Sequence, residues 1–288
     1  MPLPIAELVL GKPVEEAAEL LPRLFNLCRV AQGVAARAAF GLPQEPGWRQ
    51  ALRYEILKEH VLKLCLKWPG QLSVPPLALP IGWMQDAPAL RDALFGPGQR
   101  MPTSIDAFMA FLDSGTGIGP VLKAIAQVIP PASAVRADLP LTTSNSIFDR
   151  MAQENSVAGR HAVHSVMIAI ETRWGRGPLW SATGLTCDLA DCLEGKLPTA
   201  DLRQGRSVVP AARGLYGICA QLTNGRITQF QRITPTDHLV MRGGMLEHSL
   251  ATLEPARANA LAPVVLSILD PCFPIRLERD QVEEVTHA

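Results

Sequence analysis

Two cysteines sit where thiolate chemistry is available, one near each end of the chain. Cys272 follows an Asp-Pro turn in Leu269-Asp270-Pro271-Cys272-Phe273-Pro274, directly after the apolar run 264–269. Cys28 lies in Arg23-Leu24-Phe25-Asn26-Leu27-Cys28-Arg29. A thiolate is a nucleophile or a soft metal ligand, and the working expectation is that these two thiols meet in space. Taken singly, each reads as a small core hydrophobe, with Cys272 the more exposed because of its turn. Cys65, Cys187, Cys192 and Cys219 read as structural. No C-x-x-C pair occurs, since Cys187 and Cys192 are five apart. An autonomous zinc ribbon or a thioredoxin-like redox pair is therefore not expected, and any thiolate site must combine distant cysteines. Six cysteines in 288 residues are too sparse for a disulfide scaffold and fit a reducing compartment.

Other chemistry-bearing residues give weaker patterns. His161 and His164 stand at i, i+3 on an expected helix, a spacing compatible with metal, but no H-E-x-x-H accompanies them and Glu154 is remote. Asp188, Asp191 and Glu194 recur every third residue and read as a solvated helix face, so acid–base catalysis is not indicated. His60 reads as a packed or hydrogen-bonded residue. Gly115-Thr116-Gly117-Ile118-Gly119 lacks both phosphate-loop patterns and reads as a turn.

The elements that must position these residues follow from periodicity. Hydrophobic residues make up 48% and charged residues 19%, which favours a packed globular chain. Basic and acidic residues balance at 27 each, against nucleic acid or an anionic membrane as partner. No apolar run of membrane-spanning length and no secretory leader pattern appears, so a soluble, cytoplasmic protein is expected. Helix is expected over 15–40, broken around Pro22. It is expected again over 48–68, where Leu52, Ile56, Leu62 and Leu66 fall near one face and Arg53, Lys58, Glu59 and Lys63 mostly elsewhere. Further helices are expected over 104–112, 121–128, 155–176, 183–194, 245–253 and 258–269, with a loop over 195–207. Strands over 214–223 and 226–234 flank Asn224-Gly225, a strong hairpin signal. That hairpin brings Arg213 and Thr236 together from its two sides. The expectation is a mainly α fold with a small antiparallel sheet (α+β), forming one domain over 1–288.

In order along the chain, these pieces resemble nickel-iron hydrogenase large subunits. Residues 23–32 resemble the N-terminal R-x-C-G-x-C-P-x-x-H motif, and 52–69, with Glu55 and His60, resembles the next helix. Pro210-Ala211-Ala212-Arg213-Gly214 is similar to the A-P-R-G segment, Ile233-Thr234-Pro235-Thr236 to the V-P-S/T-T segment, and Asp270-Pro271-Cys272 to the start of D-P-C-x-x-C-x-x-H. The middle, 70–206, carries no such motif and reads as divergent in a truncated large-subunit-like helical core. The departures carry the functional expectation. Phe25 and Ile275 stand where the family has its other two cysteines, and Gln32 and Glu278 where it has histidines. With two of four thiolates lost, nickel binding and hydrogen activation are not expected.

A half-emptied pattern of this kind resembles the HupK-type hydrogenase expression/formation proteins. That resemblance implies a non-enzymatic scaffold holding iron, with its cyanide and carbonyl ligands, on Cys28 and Cys272. Arg213, Pro235 and Thr236 would cradle the diatomic ligands. The implied partners are the accessory proteins that build the iron fragment and the immature large subunit. A metal-free chaperone mimicking the large subunit, and a thiol- or metal-dependent oxidoreductase, are the alternatives.

Overall fold

A computed structural model describes residues 4–24, 27–136 and 138–276. The N-terminal part contains α1 (Ile5–Val9), α2 (Val14–Leu20), α3 (Arg29–Ala39), α4 (Trp48–Leu62) and α5 (Trp68–Gln71). The middle adds α6 (Ala87–Phe95), α7 (Ile105–Asp113), α8 (Gly119–Val128), α9 (Val157–Arg160), α10 (Ser165–Trp174) and α11 (Pro178–Leu193). Four strands follow: β1 (Asp201–Arg203), β2 (Arg206–Ala211), β3 (Gly214–Thr223) and β4 (Arg226–Ile233). The last helices are α12 (Pro235–Val240), α13 (Met245–Ala251) and α14 (Ala258–Leu269). The architecture is mainly helical with one small antiparallel sheet in the order β1-β2-β3-β4.

Local chemistry sets the ends of these elements. Asp86, Ser104 and Ser156 each accept a hydrogen bond from a first-turn N–H of α6, α7 and α9. Thr234 and Asp237 form a reciprocal capping box at the start of α12. Asn224 and Gly225 both take positive φ, 50° and 71°, as a two-residue hairpin turn requires. Gly117 also has positive φ, and a Cβ there would lie 1.9 Å from the Leu94 carbonyl oxygen. The glycine run is a close-packed turn between α7 and α8.

Four expectations need correction. The helix expected over 155–176 is broken: α9 ends at Arg160 and α10 begins at Ser165, so His161 and His164 cap two helices. The segment 195–207 is not all loop, since β1 and the start of β2 fall there. Pro210 and an unbroken apolar run obscure β2 in the sequence. Yet β1 pairs no further than Val208, so Pro210 has no ladder to break on that side.

The third correction concerns α4, which continues through a wide π-turn, Lys63–Lys67, into α5. Leu66 is 46% exposed while Lys63 is buried. The 3.6-residue period does not extend past Leu62, and Lys63 reads as interior only once its buried anionic partner is known. Lastly, Asp188 is not solvated but fully buried on α11.

Beside a small separate cluster of Leu139, Leu239 and Met245, the main core is an apolar cluster running from Ile5 to Ile268. Its axis is α11, almost wholly buried, which packs against α4, α6, α8, α9, α10 and α14. On the other side α3 lies across β2 and β3, and the Ser207 hydroxyl donates 2.6 Å to the Ala35 carbonyl.

Candidate functional site

Cys28 is the residue immediately before α3 and holds a left-handed backbone, φ 54° and ψ 39°. Its segment is pinned from two sides. The Glu55 carboxylate on α4 accepts from the Val30 and Ala31 N–H groups at 2.8 and 3.1 Å, filling the anion-favouring end of α3. The Gln32 amide donates back to the Leu27 carbonyl at 2.8 Å.

Cys272 enters from the opposite end of the chain. Its backbone N–H donates 2.9 Å to the Thr236 hydroxyl, so the first turn of α12 fixes its position. Two residues earlier, Asp270 ends α14 in a left-handed conformation, φ 49°. The Asp270 carboxylate is buried among three cations: Lys63 at 2.7 Å, Arg213 at 2.8 Å and Lys67 at 3.1 Å. Burial opposes its charge, but Lys63 and Arg213 outweigh that and hold its carboxyl well below the usual range.

Arg213, between β2 and β3, joins the two cysteine segments. Its Nε donates to the Asp270 carbonyl at 3.1 Å, one terminal nitrogen lies 3.4 Å from Glu59, and the other donates to Cys28 Sγ at 3.6 Å. Burial raises the Cys28 thiol pKa, and Arg213 works against that rise. Cys272 is exposed.

Cys28, Arg213, Pro235, Thr236 and Cys272 all line one cleft of about 340 Å³. Residues expected to gather from three distant stretches are thus found on one wall system. One further polar atom in it, Gln32 Oε1, is buried with no hydrogen-bond partner among the described residues, and the buried Tyr216 also lines it. Phe25 and Glu278, read as substituted family positions, lie outside the described residues. Ile275 is half-buried.

Sequence reasoning missed a second polar cluster behind this cleft. His60 on α4 meets Asp188 on α11 at 2.7 Å, and His161 meets the other carboxylate oxygen at 2.9 Å. Arg160 lies 3.4 Å from Asp188 and donates 2.7 Å to the Ala211 carbonyl, in the strand that leads to Arg213. Burial opposes the Asp188 charge, but Arg160 and the two histidines keep it ionised far below its ordinary range. Burial lowers the His60 pKa to about 4. His161 and His164 are separated in role, since His164 Nδ1 accepts from the Val166 N–H. The available signal was an aspartate as the one charged residue within Leu185-Thr186-Cys187-Asp188-Leu189. Burial pushes Cys65 and Cys187 up to about 12 and also raises Cys192, so these three are unreactive thiols. Among the described residues no three His, Cys, Asp or Glu side chains converge on a metal-sized site.

No protein-family model matches the chain. It is 43% identical over 287 residues to the hydrogenase expression/formation protein HupK of Rhodobacter capsulatus, covering 100% of this chain and 92% of that one. The chain belongs to the HupK family. It is also 41% identical over 76 residues to the hydrogenase expression/formation protein HoxV of Cupriavidus necator, covering 24% of this chain and 20% of HoxV. Across 93% of its length it superposes on an NAD+-reducing NiFe hydrogenase, spanning 89% of that chain at a TM-score of 0.53 and 17% identity. A Ni-Fe-Se hydrogenase from D. vulgaris Hildenborough gives 0.58 at 10% identity, over 94% of this chain and 91% of that one. This HupK-family chain therefore has the hydrogenase large-subunit fold, including the middle region where its sequence carries no motif. No helix among the described residues is long and apolar enough to cross a membrane.

Proposed function

We propose that this protein holds a ferrous iron carrying cyanide and carbonyl ligands on Cys28 and Cys272, and passes it to the immature large subunit of a nickel-iron hydrogenase. Its family supports a role in hydrogenase maturation. The observation that carries the finer reading is the cleft itself. Both cysteines and the Arg213, Pro235 and Thr236 wall open onto one space of about 340 Å³, at the small end of ligand sites.

The donor set suits such a cargo. Low-spin ferrous iron with strong-field diatomic ligands accepts soft thiolates. Arg213 is locked by Asp270 and Glu59, so it presents its charge without reorganising. Thr236 accepts from the Cys272 N–H and so keeps its own hydroxyl proton to donate. On loading, both thiols release their protons to solvent, and on delivery the thiolates take up two protons again. A two-thiolate site has fewer bonds to break than a four-thiolate one, which favours transfer. It also leaves nickel without its set of ligands, so the role is that of carrier rather than catalyst. The accessory proteins that build the iron fragment are the partners on the loading side.

Infrared spectroscopy tests this on protein purified without oxygen from cells that make the accessory machinery. Cyanide and carbonyl stretches are expected in the wild type and absent in Cys28→Ala and Cys272→Ala. Wild type that binds the immature large subunit normally but shows no such bands would instead be a metal-free chaperone.

A further inference from the structure

We propose that the Gln32 side-chain oxygen holds a water in the sixth coordination position of the iron cargo. This rests on the reading of the cleft as an iron-fragment site. It assigns a partner to an acceptor that the two cysteines and the Arg213, Pro235 and Thr236 wall leave unused.

The first observation is the orphaned amide oxygen. Gln32 is 4% exposed and lines the cleft with Cys28 and Cys272. Its side chain is held in place. Nε2 donates 2.8 Å to the Leu27 carbonyl, and the Gln32 backbone N–H donates 3.0 Å to the Cys28 carbonyl, one turn back along α3. Fixing Nε2 also fixes Oε1 on the other arm of the planar amide. Turning the amide over would set two carbonyl oxygens against each other at Leu27. Oε1 is buried without a hydrogen-bond partner among the described residues. An oxygen in that position bears the cost of its lost hydration until a donor reaches it.

The second argument is the donor inventory of the loaded cleft. Gln32 Oε1 can only accept. Cyanide nitrogens, a carbonyl oxygen and two thiolates are acceptors as well, so no part of the fragment satisfies it. The three Arg213 nitrogens are engaged with Asp270, Glu59 and Cys28. Water is the smallest donor that answers the need, and its share of about 30 Å³ is a small part of the cleft.

The third argument is the coordination count. Two cyanides, one carbonyl and two thiolates fill five positions, and low-spin ferrous iron takes six. A water completes the octahedron through its oxygen and keeps an O–H for Gln32. Being neutral, it adds no charge to a buried anionic complex. Water is also the weakest of the six ligands, so it is the one displaced when a thiol of the receiving large subunit arrives. The iron–oxygen bond breaks, an iron–sulfur bond forms, and the thiol proton goes to solvent. Cys28 and Cys272 still hold the iron at that moment, and Gln32 is a positioning residue for the exchange.

The test exposes anaerobically purified wild type, Gln32→Leu and Gln32→Glu, all loaded in cells with the accessory machinery, to isotopically labelled carbon monoxide. Added carbon monoxide competes with water for the sixth position, and infrared spectroscopy follows the growth of an additional carbonyl band. Gln32→Leu is expected to keep its iron content and original bands but to take up the label several-fold faster than wild type. Gln32→Glu, which loses the Leu27 clamp yet keeps an acceptor, is expected to stay close to wild type. Equal uptake by wild type and Gln32→Leu, or equal acceleration in both variants, would overturn the proposal. Should Gln32→Leu fail to fold or load, X-ray absorption at the iron edge of the wild type decides. A sixth, light-atom donor is expected beyond the three diatomic ligands and two sulfurs. Five-coordinate iron would overturn the water while leaving the carrier reading intact, and wild type without cyanide and carbonyl bands would overturn both.

Discussion

Cys28 and Asp270 share an uncommon backbone state. Both are non-glycine residues in the left-handed region, at φ 54° and 49°, and each stands at the point where a helix meets a cysteine-bearing segment. Such conformations cost about 1–2 kcal/mol in a non-glycine residue and persist where surrounding contacts over-determine them. Here those contacts are Glu55 on the α3 N-terminus and the three cations on Asp270. The two thiols are unequal: Cys28 is half-buried, with burial favouring its neutral form, and Cys272 is exposed. Iodoacetamide is therefore expected to modify Cys272 first. In a Cys272→Ser background, Arg213→Gln should slow Cys28 alkylation at pH 8, because Arg213 is the main group opposing the rise in its pKa. Each further unit of rise lowers the thiolate fraction about tenfold. A pH–rate profile for Cys28 that stayed put in the variant would contradict this. At this scale the sequence was legible where a motif fixed both residue and order, as for Cys28, Arg213, Pro235, Thr236 and Cys272. It was silent on Tyr216, because in alternating strands a polar side chain reads the same whether it faces solvent or a cleft.

The α4 and α11 helices meet through a buried hydrogen-bonded polar pair as well as through apolar contacts. His60 and Asp188 sit 2.7 Å apart with both side chains inaccessible to solvent. Amphipathic patterning assigns such residues to the outside, which is why Asp188 read as solvated, and why Lys63, buried against Asp270, was placed off the apolar face. Periodicity recovered α3, α4, α14 and the Asn-Gly hairpin, where one signal dominates, but read the buried α11 as a shorter helix starting at 183. It failed at the break between α9 and α10, at β2 and at the π-turn, where tertiary partners satisfy the backbone or the charge. The His60–Asp188 link has a pH consequence. His60 is held neutral in the fold, with its pKa lowered from 6.5 to about 4 by burial. The unfolded chain therefore binds more protons than the folded one between those values, and stability is lost as pH falls from about 6.5 towards 4, by up to about 1.4 kcal/mol per pH unit. Above pH 6.5 this contribution is complete. Urea denaturation should show the decline, and His60→Gln, which keeps a donor for Asp188, should flatten it. Equal slopes in the two proteins would show that His60 is not the responsible group.

Across the whole molecule, α11 ties together parts of the chain that sequence motifs treat separately. It packs against α4 from the N-terminal third, α8, α9 and α10 from the motif-free middle, and α14, which delivers Asp270 to the cleft. The ends carry the legible residues, but the middle supplies the wall they are built on. Arg160, the last residue of α9, even hydrogen-bonds the strand leading to Arg213. Chains much above about 150 residues often unfold in stages. With its main apolar cluster drawing residues from Ile5 to Ile268, this one is expected to unfold in a single transition. Urea titration followed by far-UV circular dichroism, tryptophan fluorescence and the alkylation of buried Cys65 and Cys187 should give coincident midpoints, Cys65 reporting on the N-terminal part and Cys187 on the middle. Gly184→Ala sharpens the test. A Cβ at Gly184 would stand 2.4 Å from Ala158 Cα, where α9 crosses α11, so overpacking should cost about 1–3 kcal/mol. If α11 is the common axis, that substitution must lower the Cys65 and Cys187 midpoints together. A Cys187 midpoint that fell while Cys65 held its wild-type value would show two units folding independently, and the cleft would then be carried by the chain ends alone.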